Sequence, residues 1–198
     1  MSGVLYRYLP GNTPPHFSES ADMPLEQGQT QVYTGNGKGK TTAALGLAFR
    51  ACGRGLRVMM IQFMKGGGPY GEHAAAEKLT PLLSIIPTGR PGWVRRPNPD
   101  PEDIRLAQDA FAQARAALIS GDYDLIILDE INGAVSFGLV SVEEVLEMIR
   151  SKPPTVELVL TGRDASEEVI AAADLVTEMK EIKHYYRAGI PSREGIEK

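Results

Sequence analysis

Apolar residues in this chain fall into short unbroken runs separated by amphipathic stretches. Gln31-Val32-Tyr33-Thr34 predicts a short buried strand that runs straight into a glycine-rich turn. Thr41–Ala51 then reads as a helix, with Ala44, Leu45, Ala48 and Phe49 at i, i+1, i+4, i+5 and Gly53 near its end. Arg57–Phe63 predicts a second strand, Gly71–Leu79 a short helix and Leu82–Ile86 a third strand. The clearest helical period lies in Glu102–Ile119, where Ile104, Ala107, Phe111, Ala114 and Leu118 share one face. Tyr123–Leu128 is an apolar strand, Val142–Ile149 a helix and Val156–Leu160 another strand. Ser166–Ala173 predicts a short helix, N-capped by Ser166 ahead of Glu167 and Glu168, and Leu175–Met179 a last strand.

Strands alternating with helices predict an α/β fold, a mostly parallel sheet with helices on both faces. The uninterrupted apolar runs fit strands covered on both sides. Two stretches break the pattern. Residues 1–28 carry Pro10, Pro14, Pro15 and Pro24 and read as an extended arm. Residues 81–101 hold six prolines and predict a long loop, of the kind that is usually functional in a compact domain. The expected organisation is an arm over 1–28, one nucleotide-binding α/β domain over 29–182, and a tail over 183–198.

Composition narrows the function classes. With 198 residues and 42% apolar content, the chain has material for one large domain. Its 21 basic and 25 acidic residues leave a net charge of −4, which offers no general attraction to nucleic acid or a membrane surface. The single Cys52 excludes an intramolecular disulfide framework and any multi-cysteine metal site. Met1–Pro10 lacks the basic start and apolar stretch of a secretory leader, and no segment approaches the ~20 apolar residues of a membrane span. A soluble, cytoplasmic protein is expected.

The sharpest chemical signal is Thr34-Gly35-Asn36-Gly37-Lys38-Gly39-Lys40-Thr41-Thr42. A phosphate site at a strand-to-helix turn needs glycines, so that backbone N–H groups wrap anionic oxygens. It also needs a lysine to reach the phosphates and a hydroxyl to hold Mg²⁺. Gly39-Lys40-Thr41 supply these in order, and the following helix adds its positive end. The usual first glycine of the motif is Thr34 here, one departure from the pattern. With this loop, the α/β pattern is that of a P-loop NTPase-like (RecA-like) fold. Asp129-Glu130 close an apolar strand and are candidate Mg²⁺ ligands, with Glu130 a natural base in a hydrolase. Lys65 and Arg163 each follow a strand, so both are candidates for the C-terminal edge of the sheet where ligands bind. Trp93 sits in the proline-rich loop, either packed as an anchor or presented to a ligand. His16, His73 and His184 are scattered and read as structural or solvated, and Cys52 as packing.

The run from Val32 to Ala44 resembles the start of ATP:corrinoid adenosyltransferases of the phosphate-loop type, shortened loop included. Further matches follow in order: Gln62-Phe63-Met64-Lys65-Gly66, Leu128-Asp129-Glu130-Ile131, Leu160-Thr161-Gly162-Arg163, Ile182-Lys183-His184, Gly189-Ile190 and Arg193-Glu194-Gly195-Ile196-Glu197. The resemblance implies that a reduced corrinoid, as Co(I), attacks C5′ of ATP and expels triphosphate. ATP would lie in the loop in the reverse of the usual direction, so that the loop holds the leaving group. Catalytic roles would fall on Lys40, Thr41 and Glu130, and metal binding (Mg²⁺ or Mn²⁺) on Thr41, Asp129 and Glu130. Gly35, Asn36, Gly37, Lys38, Gly39, Lys40, Thr41 and Thr42 would contact the nucleotide, with Lys65 and Arg163 as secondary contacts. Trp93 matches an aromatic residue that displaces the lower cobalt ligand, while the position of its partner aromatic holds Pro91. A homodimer and a flavoprotein reductant complete the implied partners.

Two other classes stand beside this one. A P-loop kinase or ATPase would use Lys40, Thr41 and Glu130 conventionally, although only Arg95-Arg96 offers the arginines of a kinase lid. A nucleotide-gated regulator would present the 81–101 loop to a protein partner.

Overall fold

The computed structural model describes residues 25–68 and 70–198, so most of the arm expected over 1–28 lies outside the described residues. Where the described chain begins it is already tied to the body: Gly28 N donates to the Pro154 carbonyl at 2.7 Å.

The strands are β1 (Thr30–Thr34), β2 (Val58–Gln62), β3 (Leu83–Pro87), β4 (Leu125–Asp129), β5 (Glu157–Thr161) and β6 (Leu175–Glu178). They form one parallel sheet in the order β3-β2-β4-β5-β1-β6. The helices are α1 (Lys40–Cys52), α2 (Gly71–Glu77), α3 (Pro101–Ser120), α4 (Ile131–Ser136), α5 (Val142–Ser151) and α6 (Glu167–Ala172).

Period-2 alternation divides the sheet's side chains between two cores. Val58, Met60, Leu125, Ile127 and Val159 face α1 and α2, packing on Ala44, Ala48 and Ala76. Met59, Ile61, Ile126, Leu128, Leu158 and Leu160 face α3, α4, α5 and α6, packing on Phe111, Ala114, Leu118, Val145 and Val169. The chain runs outward from β1 to β3 over one face and returns from β3 to β6 over the other. Neighbouring β1 and β5 therefore send their connections to opposite faces, which opens a crevice at the C-terminal edge of the sheet.

The expected elements form with small shifts of their ends. Asp100 caps α3 by accepting from Glu102 N, with Pro101 at the first helical position, and Gly121 ends it with φ 79°. Four features depart from the reading of the sequence. The helix α4 and a 3₁₀ turn at Tyr185–Ala188 were not expected. The strand β6 is exposed along its length, whereas its apolar start suggested burial on both sides, because it is an edge strand. The proline-rich stretch is shorter as a loop than expected, since β3 occupies its first part. Its remainder, 88–100, is clamped by Arg90 on Asp103 at 2.9 Å and by Arg96 on Ser136 and the Phe137 ring.

Candidate active site

Register brings a polar row to the C-terminal edge. Gln62 pairs with Asp129 and Tyr33 with Thr161, and the Leu128–Leu160 pairing sets Asp129 beside Thr161. Alternation turns Gln62, Asp129 and Thr161 toward α1, where apolar side chains stop and polar ones begin. All three are fully buried. A buried carboxylate needs partners, and Asp129 has four. Its Oδ1 accepts from Thr41 Oγ1 at 2.8 Å and Thr161 Oγ1 at 2.7 Å. Its Oδ2 takes Lys65 Nζ at 2.9 Å and Gln62 Nε2 at 3.4 Å.

The loop from Gly35 to Gly39 leaves β1 and starts α1. It is braced from the β6 side: Gly37 N donates to the Met179 carbonyl at 2.6 Å, and Met179 N donates to Thr34 O at 2.8 Å. A Cβ on Gly35 would stand 2.6 Å from that same Met179 carbonyl, at φ +94°, so no other residue fits this turn. Lys40 Nζ folds back into the loop, donating to Gly35 O at 2.7 Å and Gly37 O at 2.8 Å. The ammonium is thus held where an anion seated on the loop would meet it.

A cavity of about 810 Å³ opens over the loop. Asn36, Gly37, Lys38, Gly39, Lys40, Thr41 and Thr42 line one side, and Lys65, Glu130 and Arg163 border it. Leu45, Phe49, Leu79 and Leu83 supply an apolar wall. Most residues singled out from the sequence therefore meet in one place. Gly35 contributes its carbonyl to Lys40, and Asp129 lies beneath the cavity floor. Trp93 does not line the cavity. Its ring is 98% exposed on the 88–100 loop, so it is presented to solvent and is not a packed anchor.

Charge crowding sets the electrostatics. Burial pushes the Glu130 carboxyl above its usual range, the Asp129 charge adds to this, and Lys65, Lys40 and Arg163 oppose it. Burial lowers the Lys40 ammonium, with Glu130 pulling the other way. Burial also lowers Lys65, but the charge and hydrogen bond of Asp129 outweigh it and the net shift is upward. Glu130 holds φ 62° at the start of α4, and its backbone N–H donates to Thr161 Oγ1 at 3.0 Å. This left-handed residue turns the chain sharply from β4 and keeps the carboxylate at the cavity.

Among the described residues no group of three His, Cys, Asp or Glu side chains is placed to hold a metal alone. The hard oxygens of Thr41, Asp129 and Glu130 instead suit a cation that completes its shell with water and phosphate oxygens, as Mg²⁺ does. Reading the sequence missed three participants. Thr161 was noted only beside Arg163, Gln62 only within its run, and residues 195–198 line the cavity although they were read as tail.

Fold and site define a P-loop NTPase-like nucleotide-binding protein. The family described as ATP:corrinoid adenosyltransferase BtuR/CobO/CobP matches residues 26–197, and the chain belongs to it. The corrinoid adenosyltransferase of Pseudomonas aeruginosa is 37% identical over 172 residues, covering 87% of this chain and 84% of that protein. That of Escherichia coli K12 is 33% identical over 172 residues (87% and 86%), and that of Salmonella typhimurium 32% over 172 residues (87% and 86%). Among the described residues, no helix is long and apolar enough to cross a membrane.

Proposed function

We propose that this chain transfers the 5′-deoxyadenosyl group of ATP to the Co(I) of a reduced corrinoid, releasing triphosphate, in adenosylcobalamin biosynthesis. The family match over residues 26–197 carries this reading. The geometry supports its division of labour. Attack by Co(I) on C5′ needs no general base, because the nucleophile carries its own electron pair. The protein's tasks are alignment of the reactants and neutralisation of the departing charge.

Lys40, Lys38 and the amides of Gly37 to Thr42 suit the triphosphate, and Arg163 and Lys65 border the same cavity. Thr41, Asp129 and Glu130 would hold Mg²⁺ or Mn²⁺. The donor set fits: Thr41 and Asp129 are already 2.8 Å apart, and Glu130 lies at the cavity, where burial and the Asp129 charge favour a nearby cation. When bound, the cation supplies charge neutralisation at the phosphate oxygens. Trp93, fully presented on its clamped loop, suits the lower face of the corrinoid. Residues 29–182 would carry the nucleotide site, with 183–198 closing one side of it. A homodimer, a flavoprotein electron donor and a cytoplasmic setting follow from the family resemblance.

Identifying the phosphate product after incubation with ATP, Mg²⁺ and chemically reduced cobalamin tests this reading. Triphosphate with a light-sensitive cobalt–carbon species is the expected result. ADP or orthophosphate without that species would overturn it in favour of a kinase or ATPase.

A further inference from the structure

We propose that Gln62 and His73 form a positioning couple for Asp129, a role that rests on the reading of Asp129 as part of the phosphate site. Gln62 ends β2 and is fully buried, so its amide must find partners inside the protein. His73 lies one turn into α2, and its Nδ1 accepts the Tyr70 backbone N–H at 3.3 Å. A ring nitrogen that accepts carries no hydrogen, which places the ring hydrogen on Nε2. That Nε2 lies 2.8 Å from Gln62 Oε1 and donates to it.

The orientation of the amide follows. With Oε1 taken by His73, the Gln62 NH₂ group faces two carboxylates, Glu72 Oε1 at 3.1 Å and Asp129 Oδ2 at 3.4 Å. The reverse orientation would set an amide oxygen against both anions and leave two donors facing a donor. Gln62 therefore meets Asp129 on the side where Lys65 also binds, which leaves Oδ1 directed at Thr41 and Thr161. His73 thus reaches, through one amide, a carboxylate it never touches. Partners of this outer kind orient ligating groups and tune a site without contacting substrate.

The test combines ¹⁵N-histidine NMR, calorimetry of Mg²⁺·ATP binding, turnover and thermal melts on the full chain. In the wild-type protein, His73 should show the Nε2–H tautomer. Gln62→Met should lose that fixed pattern and weaken Mg²⁺·ATP binding or raise the half-saturating Mg²⁺ by about tenfold. The KM for ATP at saturating metal should move far less. His73→Gln, which still offers an amide N–H to Gln62, should retain more of the wild-type metal dependence than His73→Ala. An Nδ1–H tautomer in the wild type overturns the couple. So does unchanged metal dependence in folded Gln62→Met, or equal behaviour of the two His73 variants. If Gln62→Met melts too early for measurement, the two His73 variants decide. If the wild type releases no triphosphate, the proposed function fails, while tautomer and calorimetry still judge the couple.

Discussion

Thr41 Oγ1 stands 2.8 Å from Asp129 Oδ1, joining the first turn of α1 to the end of β4 across 88 positions of chain. The strand between their two strands, β5, joins in through Thr161, which donates to the same oxygen at 2.7 Å. The phosphate loop and the acidic strand are therefore one mechanical unit, and substitutions in either should be felt in both.

Lys40→Ala should abolish most adenosyl transfer. It removes charge-assisted contacts to the triphosphate, worth ~1.5–3 kcal/mol per hydrogen bond. Nucleotide affinity measured by calorimetry should fall with turnover. Near-normal turnover at saturating ATP would contradict the phosphate-loop assignment.

Lys65→Met should destabilise the fold by about 3–5 kcal/mol, because it strands the fully buried Asp129 carboxylate without its ion-pair partner. Adding Asp129→Asn removes the orphaned charge and should restore part of that loss. Denaturant melts of the two single variants and the double variant measure the coupling. Additive losses would show that the pair is not the stabilising contact.

Glu130 makes stability and activity respond to pH in opposite directions. Its folded-state pKa is raised, chiefly by burial and then by Asp129, so the folded protein keeps this proton to higher pH than the unfolded chain. The contribution of Glu130 to stability is therefore fully present below the ordinary carboxylate pKa of ~4.3 and is lost as pH rises through the folded value. Activity should rise over that interval, because only the ionised form would hold the proposed cation. Glu130→Gln should remove this stability slope and raise the Mg²⁺ requirement. Melts across pH and metal titrations of turnover check the two halves separately.

Trp93→Ala should leave the melting temperature nearly unchanged, since an exposed side chain away from packing usually contributes within ~0.5 kcal/mol. It should impair conversion when the corrinoid enters as Co(II) with a mild, protein-like reductant, by weakening the form without its lower ligand. With Co(I) made beforehand by a strong reductant, the loss should be much smaller. Because Pro91 occupies the place of the second aromatic, the dependence on Trp93 alone should be pronounced. Equal loss under both regimes would assign Trp93 to loop geometry.

Legibility in the sequence followed how local each signal was. The helix α3 announced itself by apolar spacing, and the structure adds its Asp100 cap and Gly121 end. The helix α4 did not: it has six residues, begins on a left-handed Glu130, and has a glycine at its third position. Nothing local marks such a segment, and its Ile131 and Ala134 are held by packing on the core. Edge placement, not composition, left Leu175 and Val176 of β6 exposed.

The site divides along the same line. The order of Gly39, Lys40 and Thr41 by itself pointed to the proposed phosphate loop, because glycine freedom, a lysine and a hydroxyl at one strand-to-helix turn are contiguous in the chain. The apolar runs determined a parallel sheet, and with it the edge to which Asp129, Glu130, Lys65 and Arg163 belong. Only the tertiary structure decided what these residues do to one another. Strand order placed β5 between the loop and the acids, register set Gln62, Asp129 and Thr161 side by side, and packing of α2 brought His73 to Gln62. Hydrogen bonds act over about 3 Å, and partners far apart in the chain reach that distance only after the sheet is assembled.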